Sequence, residues 1–236
     1  MRARGLGGGR ARAILSGMNK ALIIGASGGI GAALMRALGA RGVAVTGLSR
    51  REDGLDVTDA DSVARVLGAL EPGFDLVIVA SGILAPEGAR PEKALSEIDA
   101  EVMARVMAVN AIGPALVLRA LPRLLAEGPC KVGVLTARVG SIGDNALGGW
   151  YAYRASKAAA NQIVHTAAIE IARKRKQAVV VALHPGTVET PFTADYPGHR
   201  KVAPDQAAAN LLGVLDGLGP ADNGGFFDWA GKAVAW

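Results

Sequence analysis

Apolar residues follow two rhythms along this chain. Short runs at 21–24, 43–48, 76–80, 132–136, 179–184 and 225–228 read as buried strands, and a further short strand is expected near Leu55. Between them apolar positions recur at helical spacing, as at Ile30, Leu34, Ala37 and Leu38. This predicts helices over 30–40, 60–70, 99–109, 114–125, 153–174 and 204–218. Strand and helix alternate throughout, so the expected fold class is α/β. A single doubly wound parallel sheet follows, with helices on both faces and right-handed crossovers. No repeat or interdomain linker interrupts the pattern, and one domain is expected over 18–236. Ligands of such sheets bind beyond the carboxyl ends of the strands.

Composition narrows the picture. With 50% hydrophobic and 20% charged residues, the chain can bury a sizeable core. The single Cys130 excludes an intrachain disulfide and fits a reducing cytoplasm, and its place at a strand start favours a packed thiol. Apolar stretches read as too short or too interrupted to span a bilayer, so no membrane association is expected. The formal charge of +5 suggests an anionic partner, yet removing the four charges of Arg2, Arg4, Arg10 and Arg12 leaves +1. The basicity therefore belongs to an Arg/Gly-rich extension, residues 1–17, and no nucleic-acid partner is expected. That extension lacks the apolar core of a secretory signal. Met18 stands just before the first strand, so residues 1–17 read either as a disordered tail or as sequence ahead of the true start. His165, His184 and His199 are scattered without metal-ligand spacing, and no metal is expected.

Two motifs carry chemistry. Gly25-Ala26-Ser27-Gly28-Gly29-Ile30-Gly31 joins the first strand to the first helix. Glycines there permit positive φ and let a pyrophosphate approach the backbone, while the helix N-terminus attracts negative charge. Far downstream, Tyr153 and Lys157 stand four residues apart, on one helical face. The ammonium is expected to stabilise a phenolate and lower the tyrosine pKa from its usual value of about 10. The tyrosine then serves as an acid near neutrality, and with the glycine cradle it points to hydride transfer.

The spacing of Gly25, Gly29 and Gly31 resembles the G-x-x-x-G-x-G of the short-chain dehydrogenase/reductase family, and Tyr153 and Lys157 match its Y-x-x-x-K. Other stations follow in order from about Met18 onward. Ala80-Ser81-Gly82 resembles the loop beside the adenosine ribose, with Ser81 where asparagine is common. Asn110 resembles the family's helix asparagine. Asp56-Val57 resembles its adenine-contacting acid, and Pro185, Gly186, Val188 and Thr190 fall in a loop similar to the one that holds the nicotinamide amide. The run from Gly148 to Arg154 is similar to the sniffer/C-factor-like carbonyl reductase branch.

This resemblance implies a Rossmann fold and interconversion of a small-molecule carbonyl and alcohol, with Tyr153 as acid/base. Lys157 would depress the tyrosine pKa and hold the nicotinamide ribose, and Asn110 would hold a water linking Lys157 to solvent. Ser27, Gly28 and Ile30 join the glycines in the implied cofactor site. Where an NAD enzyme usually ends its second strand with an acid, this chain has Leu48-Ser49-Arg50-Arg51. Arg50 can pair with a phosphate and Ser49 can donate to it, with no carboxylate opposed, so NADP(H) is expected over NAD(H). The usual serine donor to the carbonyl oxygen is replaced by Ala137. Thr136 or Ser141 supplies the hydroxyl, or none does; strand alternation turns Thr136 away from the side that Ala137 faces, which favours Ser141.

The brief polar segment between Thr190 and Pro204 predicts a shallow or open pocket. Ala158, Ala159, Ala160, Ala167 and Ala168 give a face suited to burial against another helix; the resemblance implies a homodimer or homotetramer face there, and ordinary packing within the domain is the competing reading. The alternative function is a cofactor-binding regulatory or signalling protein with little turnover, motivated by Ala137.

Overall fold

Six strands, β1 Lys20–Ile24, β2 Ala44–Leu48, β3 Leu76–Val79, β4 Cys130–Leu135, β5 Ala178–His184 and β6 Phe226–Asp228, form one sheet. Every neighbouring pair is parallel, in the order β2-β1-β3-β4-β5-β6. The computed structural model describes residues 18–194 and 201–236. The extension 1–17 and, within the polar segment after Thr190, residues 195–200 with His199 lie outside the described residues.

The pleat sorts each strand's side chains onto two faces. Leu22, Ile24, Val77, Val79, Val132 and Val134 pack into one core cluster, and their neighbours Ala21, Ile23, Leu76 and Ile78 pack into the other. Because both faces are buried, the strands read as continuous apolar runs rather than alternating ones. Helices α1 Gly29–Gly39 and α7 Pro204–Gly217 cover the second face. The first is covered by α3 Ala60–Gly68, α5 Gly113–Leu124 and α6 Tyr151–Lys174. A four-residue helix, α2 Arg50–Asp53, follows β2, and α4 Ala100–Met107 packs on α6. β2 and β3 flank β1 on its two sides, so the chain passes from β1 out to β2 and back across to β3, and a crevice opens at the carboxyl ends where the order reverses.

Three expectations change. No strand forms near Leu55: its side chain is buried in the core, but the segment closes back on α2, with the Leu55 amide donating to the Ser49 carbonyl at 3.1 Å. Burial, not pairing, explains that apolar position. Helices α4 and α5 run on through a π-helical turn, Ala108–Ile112, as one 25-residue helix, Ala100–Leu124, long and apolar enough by composition to cross a bilayer. Val106, Val117, Leu121 and Leu124 of that helix are wholly buried within the domain. Ala160 and Ala168, expected on an outer face, are buried inside the domain as well.

Candidate active site

At the end of β1 the glycine loop folds tightly. Gly25 has φ 86°, and a Cβ there would lie 2.9 Å from the Ser81 amide nitrogen, so the loops after β1 and β3 touch backbone to backbone. A Cβ on Gly31 would collide with the Gly25 carbonyl. The first turn of α1 contains no acid and has no side-chain cap at Gly28. Among the described residues its first amides have no side-chain cap, and the dipole there favours an anion.

This loop borders a cleft of about 680 Å³, a size typical of small-molecule sites. Ser27, Gly28, Gly29, Ile30 and Gly31 line it, with Ala80, Ser81 and Gly82 from the β3 loop. The Ser81 Oγ is buried without a hydrogen-bond partner among the described residues. Pro185, Gly186, Val188 and Thr190, after β5, also line the cleft, and Thr190 lies against Gly29, where a Cβ would meet its methyl group. Asn110 stands behind the lining, where the π-helical turn aims it inward. Its Oδ1 accepts from the Ile83 amide, and its Nδ2 donates to the Ile83 carbonyl and the Ser156 hydroxyl. It thus ties the β3 loop to α6.

Tyr153 and Lys157 line the middle of the cleft and are 6% and 4% exposed. The Lys157 Nζ donates to the Leu135 carbonyl at 3.2 Å and lies 5.7 Å from the centre of the Tyr153 ring. Burial lowers the Lys157 pKa to about 8 and raises that of Tyr153. The expected depression of the tyrosine by its lysine does not appear: burial moves Tyr153 the other way. Desolvation penalises both charged forms and dominates the pair.

The third hydroxyl also differs from expectation. Ser141 is 1% exposed, its Oγ accepts from the Asp144 amide at 3.1 Å, and it does not line the cleft. Thr136 does, beside Ala137, and its buried Oγ1 has no partner among the described residues. Strand alternation misleads here because β4 ends at Leu135 and the chain turns into the 3-10 segment Arg138–Gly140.

Ser49, Arg50, Asp56 and Val57 gather at the β2 end, beyond the cleft wall. The expectation of no opposed carboxylate fails there. Asp53, one helical turn along, accepts from the Ser49 amide at 2.7 Å and from its hydroxyl at 3.3 Å. Arg50 is exposed. The Asp56 carboxylate accepts from the Thr58 hydroxyl and amide; those bonds hold its pKa below the ordinary value, with a smaller contribution from Arg50. Val57 packs against Gly113, where a Cβ would come within 2.9 Å.

Several residues in or beside the cleft were given no role by the motifs that contain them or by the sequence around them. His184 lines the wall with its Nδ1 unpartnered among the described residues, and burial lowers its pKa to about 4. Trp150, with φ 55°, is the one non-glycine residue at positive φ among the described residues. Its ring centre lies 6.1 Å from that of Tyr153. A left-handed conformation costs a residue with a Cβ roughly 1–2 kcal/mol. Glu92, 3% exposed, meets this turn twice: its carbonyl accepts from the Trp150 amide at 2.5 Å and its Oε2 from the Ala152 amide at 3.2 Å. Arg154 donates to the carbonyls of Val139, Gly148 and Gly149. The pair of glycines before Trp150 was the available signal of a left-handed turn.

Residues 19–201 match the family model described as short chain dehydrogenase. The chain is 35% identical to the 1-hydroxy-2-glutathionyl-2-methyl-3-butene dehydrogenase of Rhodococcus sp. (strain AD45), over 93% of this chain and 100% of that protein. It is 40% identical to the C-signal of Myxococcus xanthus over 61% of this chain and 84% of that one. Among solved structures, a carbonyl reductase from Pseudomonas aeruginosa in complex with NADP is 27% identical, with a TM-score of 0.77, covering 93% of this chain and 100% of that one.

Proposed function

Because the chain belongs to the short-chain dehydrogenase family of oxidoreductases, we propose that it is an NADP(H)-dependent reductase that interconverts a carbonyl and an alcohol, with Tyr153 as the acid/base. One observation carries this reading: a buried Tyr153 and Lys157 line the same cleft whose far end is an uncapped helix N-terminus on a glycine cradle. The open amides of α1 fit a pyrophosphate, and the Ser81 hydroxyl is available to a ribose. When bound, NADPH would supply the hydride. Arg50 would hold the 2′-phosphate by a charge-assisted contact, and the NADP complex of the 27%-identical relative supports that preference.

In this reading the Tyr153 hydroxyl gives its proton to the carbonyl oxygen of the substrate. Burial raises the tyrosine pKa, which makes it a reluctant acid until charge develops on that oxygen. Lys157, with a pKa of about 8, is protonated at neutral pH and stabilises the phenolate left behind. Thr136, rather than Ser141, supplies the third hydroxyl to the developing oxyanion. We further infer a homodimer or homotetramer, supported by Ile112 and Ile169, both about half exposed on the helical layer.

The second reading, a cofactor-binding signalling protein with little turnover, draws on the C-signal likeness and on Ala137. An unengaged Thr136 hydroxyl in the cleft weakens it. The test is NADPH oxidation over a panel of aldehydes, ketones and quinones. Tyr153→Phe should keep NADPH affinity and lose about 10²-fold or more in turnover. Thr136→Ala should lose about 10²-fold, and Ser141→Ala little. A Tyr153→Phe protein as fast as the parent overturns the mechanism. Tight NADPH binding with no carbonyl reduced favours the signalling protein.

A further inference from the structure

Trp150 is the third of three consecutive left-handed residues, after Gly148 at φ 64° and Gly149 at φ 63°. A glycine would take that conformation freely; tryptophan resists it. The surroundings hold it there. The Asn145 side chain accepts from the Gly148 amide, Glu92 accepts from the Trp150 amide, and the Arg154 guanidinium donates to the carbonyls of both glycines. Strain kept by so many contacts beside a reacting group marks a position with a task.

What the turn achieves is the placement of a ring. The indole lines the cleft and meets Tyr153 edge-on at 6.1 Å, and Phe192 meets the same tyrosine at 5.9 Å. Apolar side chains of Leu84, Val139 and Leu147 also line the cleft. Arg154 also lines it, but three of its nitrogens already donate to backbone carbonyls, so it offers an anionic substrate little. Thr136 and Tyr153 offer hydroxyls to the carbonyl oxygen, and the rings of Trp150 and Phe192 beside Tyr153 offer the rest of the substrate π-face, ring-edge and apolar contact.

We propose that Trp150 is a specificity-determining residue, whose ring, with Phe192, selects flat conjugated carbonyls such as aryl aldehydes and ketones over saturated ones of matched size. This rests on the reductase reading and names its substrate class.

The experiment compares kcat/KM for benzaldehyde against cyclohexanecarbaldehyde, and for acetophenone against cyclohexyl methyl ketone, in the parent, Trp150→Leu and Trp150→Phe. Taking the change in each ratio between proteins cancels the intrinsic reactivity of the substrates. Trp150→Leu should reduce the preference for the aryl member roughly tenfold, mainly through KM, and Trp150→Phe should retain most of it. The NADPH dissociation constant should not move. An unchanged ratio in a folded Trp150→Leu protein overturns the proposal. If Trp150→Leu does not fold, the same ratio is read in Trp150→Gly, which suits the left-handed turn, with the same two outcomes. Binding without turnover supplies an independent arm: benzaldehyde added to the protein with NADP, a carbonyl and an oxidised cofactor that cannot exchange hydride, should quench tryptophan fluorescence, and that quench should vanish in Trp150→Phe. If no carbonyl is reduced, the reductase reading fails on its own. A quench lost in Trp150→Phe then still supports the aromatic slot, and no quench, or one that persists in that variant, overturns it.

Discussion

Lys157 carries opposite consequences for stability and for chemistry. Its pKa in the fold is about 8, against an ordinary value of 10.5, because burial penalises the ammonium. Below pH 8 the lysine is charged in both states and its burial opposes folding. Between pH 8 and 10.5 the unfolded chain keeps a proton that the fold has released, so stability rises with pH across that window. Lys157→Met should abolish this rise and stabilise the cofactor-free protein at pH 7 by up to about 3 kcal/mol, while turnover is lost. Urea titrations at pH 7 and pH 10 measure it; parallel pH dependence in parent and variant would refute the burial argument. Asp53 gives a second test at this scale. Its carboxylate holds the Ser49 amide and hydroxyl, the donors a 2′-phosphate would want, and it repels that phosphate. Asp53→Asn keeps an acceptor for Ser49 and removes the charge, so NADPH should bind several-fold tighter with NADH little affected. Arg50→Ala should weaken NADPH by one to two orders of magnitude, the effect of a charge-assisted bond of roughly 1.5–3 kcal/mol. Equal changes for both cofactors in titrations would remove the phosphate from the explanation.

The turn entering α6 is a device of element scale. Arg154, in the first turn of that helix, reaches back to the carbonyls of Val139 and of Gly148 and Gly149, so one guanidinium joins two loops that wall the cleft. A lysine has no planar fork with which to span them. Both Arg154→Lys and Arg154→Ala should therefore lower stability by about 1–2 kcal/mol and speed amide hydrogen exchange across residues 139–150, with the strands unaffected. Exchange confined to the first turn of α6 would show that the loops do not depend on this residue. A second element-scale device is the π-helical turn between α4 and α5. It re-aims one residue of an otherwise regular helix, and that residue is Asn110, bonded to both the β3 loop and α6.

Across the whole molecule, the cleft is assembled from the ends of β1, β3, β4 and β5 together with α6, so a ligand lying in it contacts most of the sheet at once. Cofactor should accordingly act on global stability. At a concentration one hundred times its dissociation constant NADPH adds about 2.7 kcal/mol, which for a domain of this size raises the melting temperature by roughly 5–10 °C. NADH at the same concentration should shift it less. Differential scanning fluorimetry reads both, and equal shifts would contradict the cofactor preference.

The strand and helix order was legible in the chain because runs buried on both faces and helices buried on one leave distinct periodicities, and β1 to β6 fall within a residue or two of the expected runs. The glycine loop and the Tyr153-Lys157 spacing were legible for a similar reason: both are local, and their geometry follows from a turn and a helix. Whatever depends on distant segments meeting was not. Leu55 is apolar whether it pairs in a sheet or packs beneath one. Thr136 and Ser141 carry the same hydroxyl, and only the turn after β4 and the Asp144 amide decide which one faces the cleft. The sign of the Tyr153 shift likewise awaited tertiary structure, since spacing places a lysine near the ring but only packing determines how much water is excluded from both. Local sequence sets what each segment can form, whereas burial and opposition across segments exist only once the chain has closed on itself.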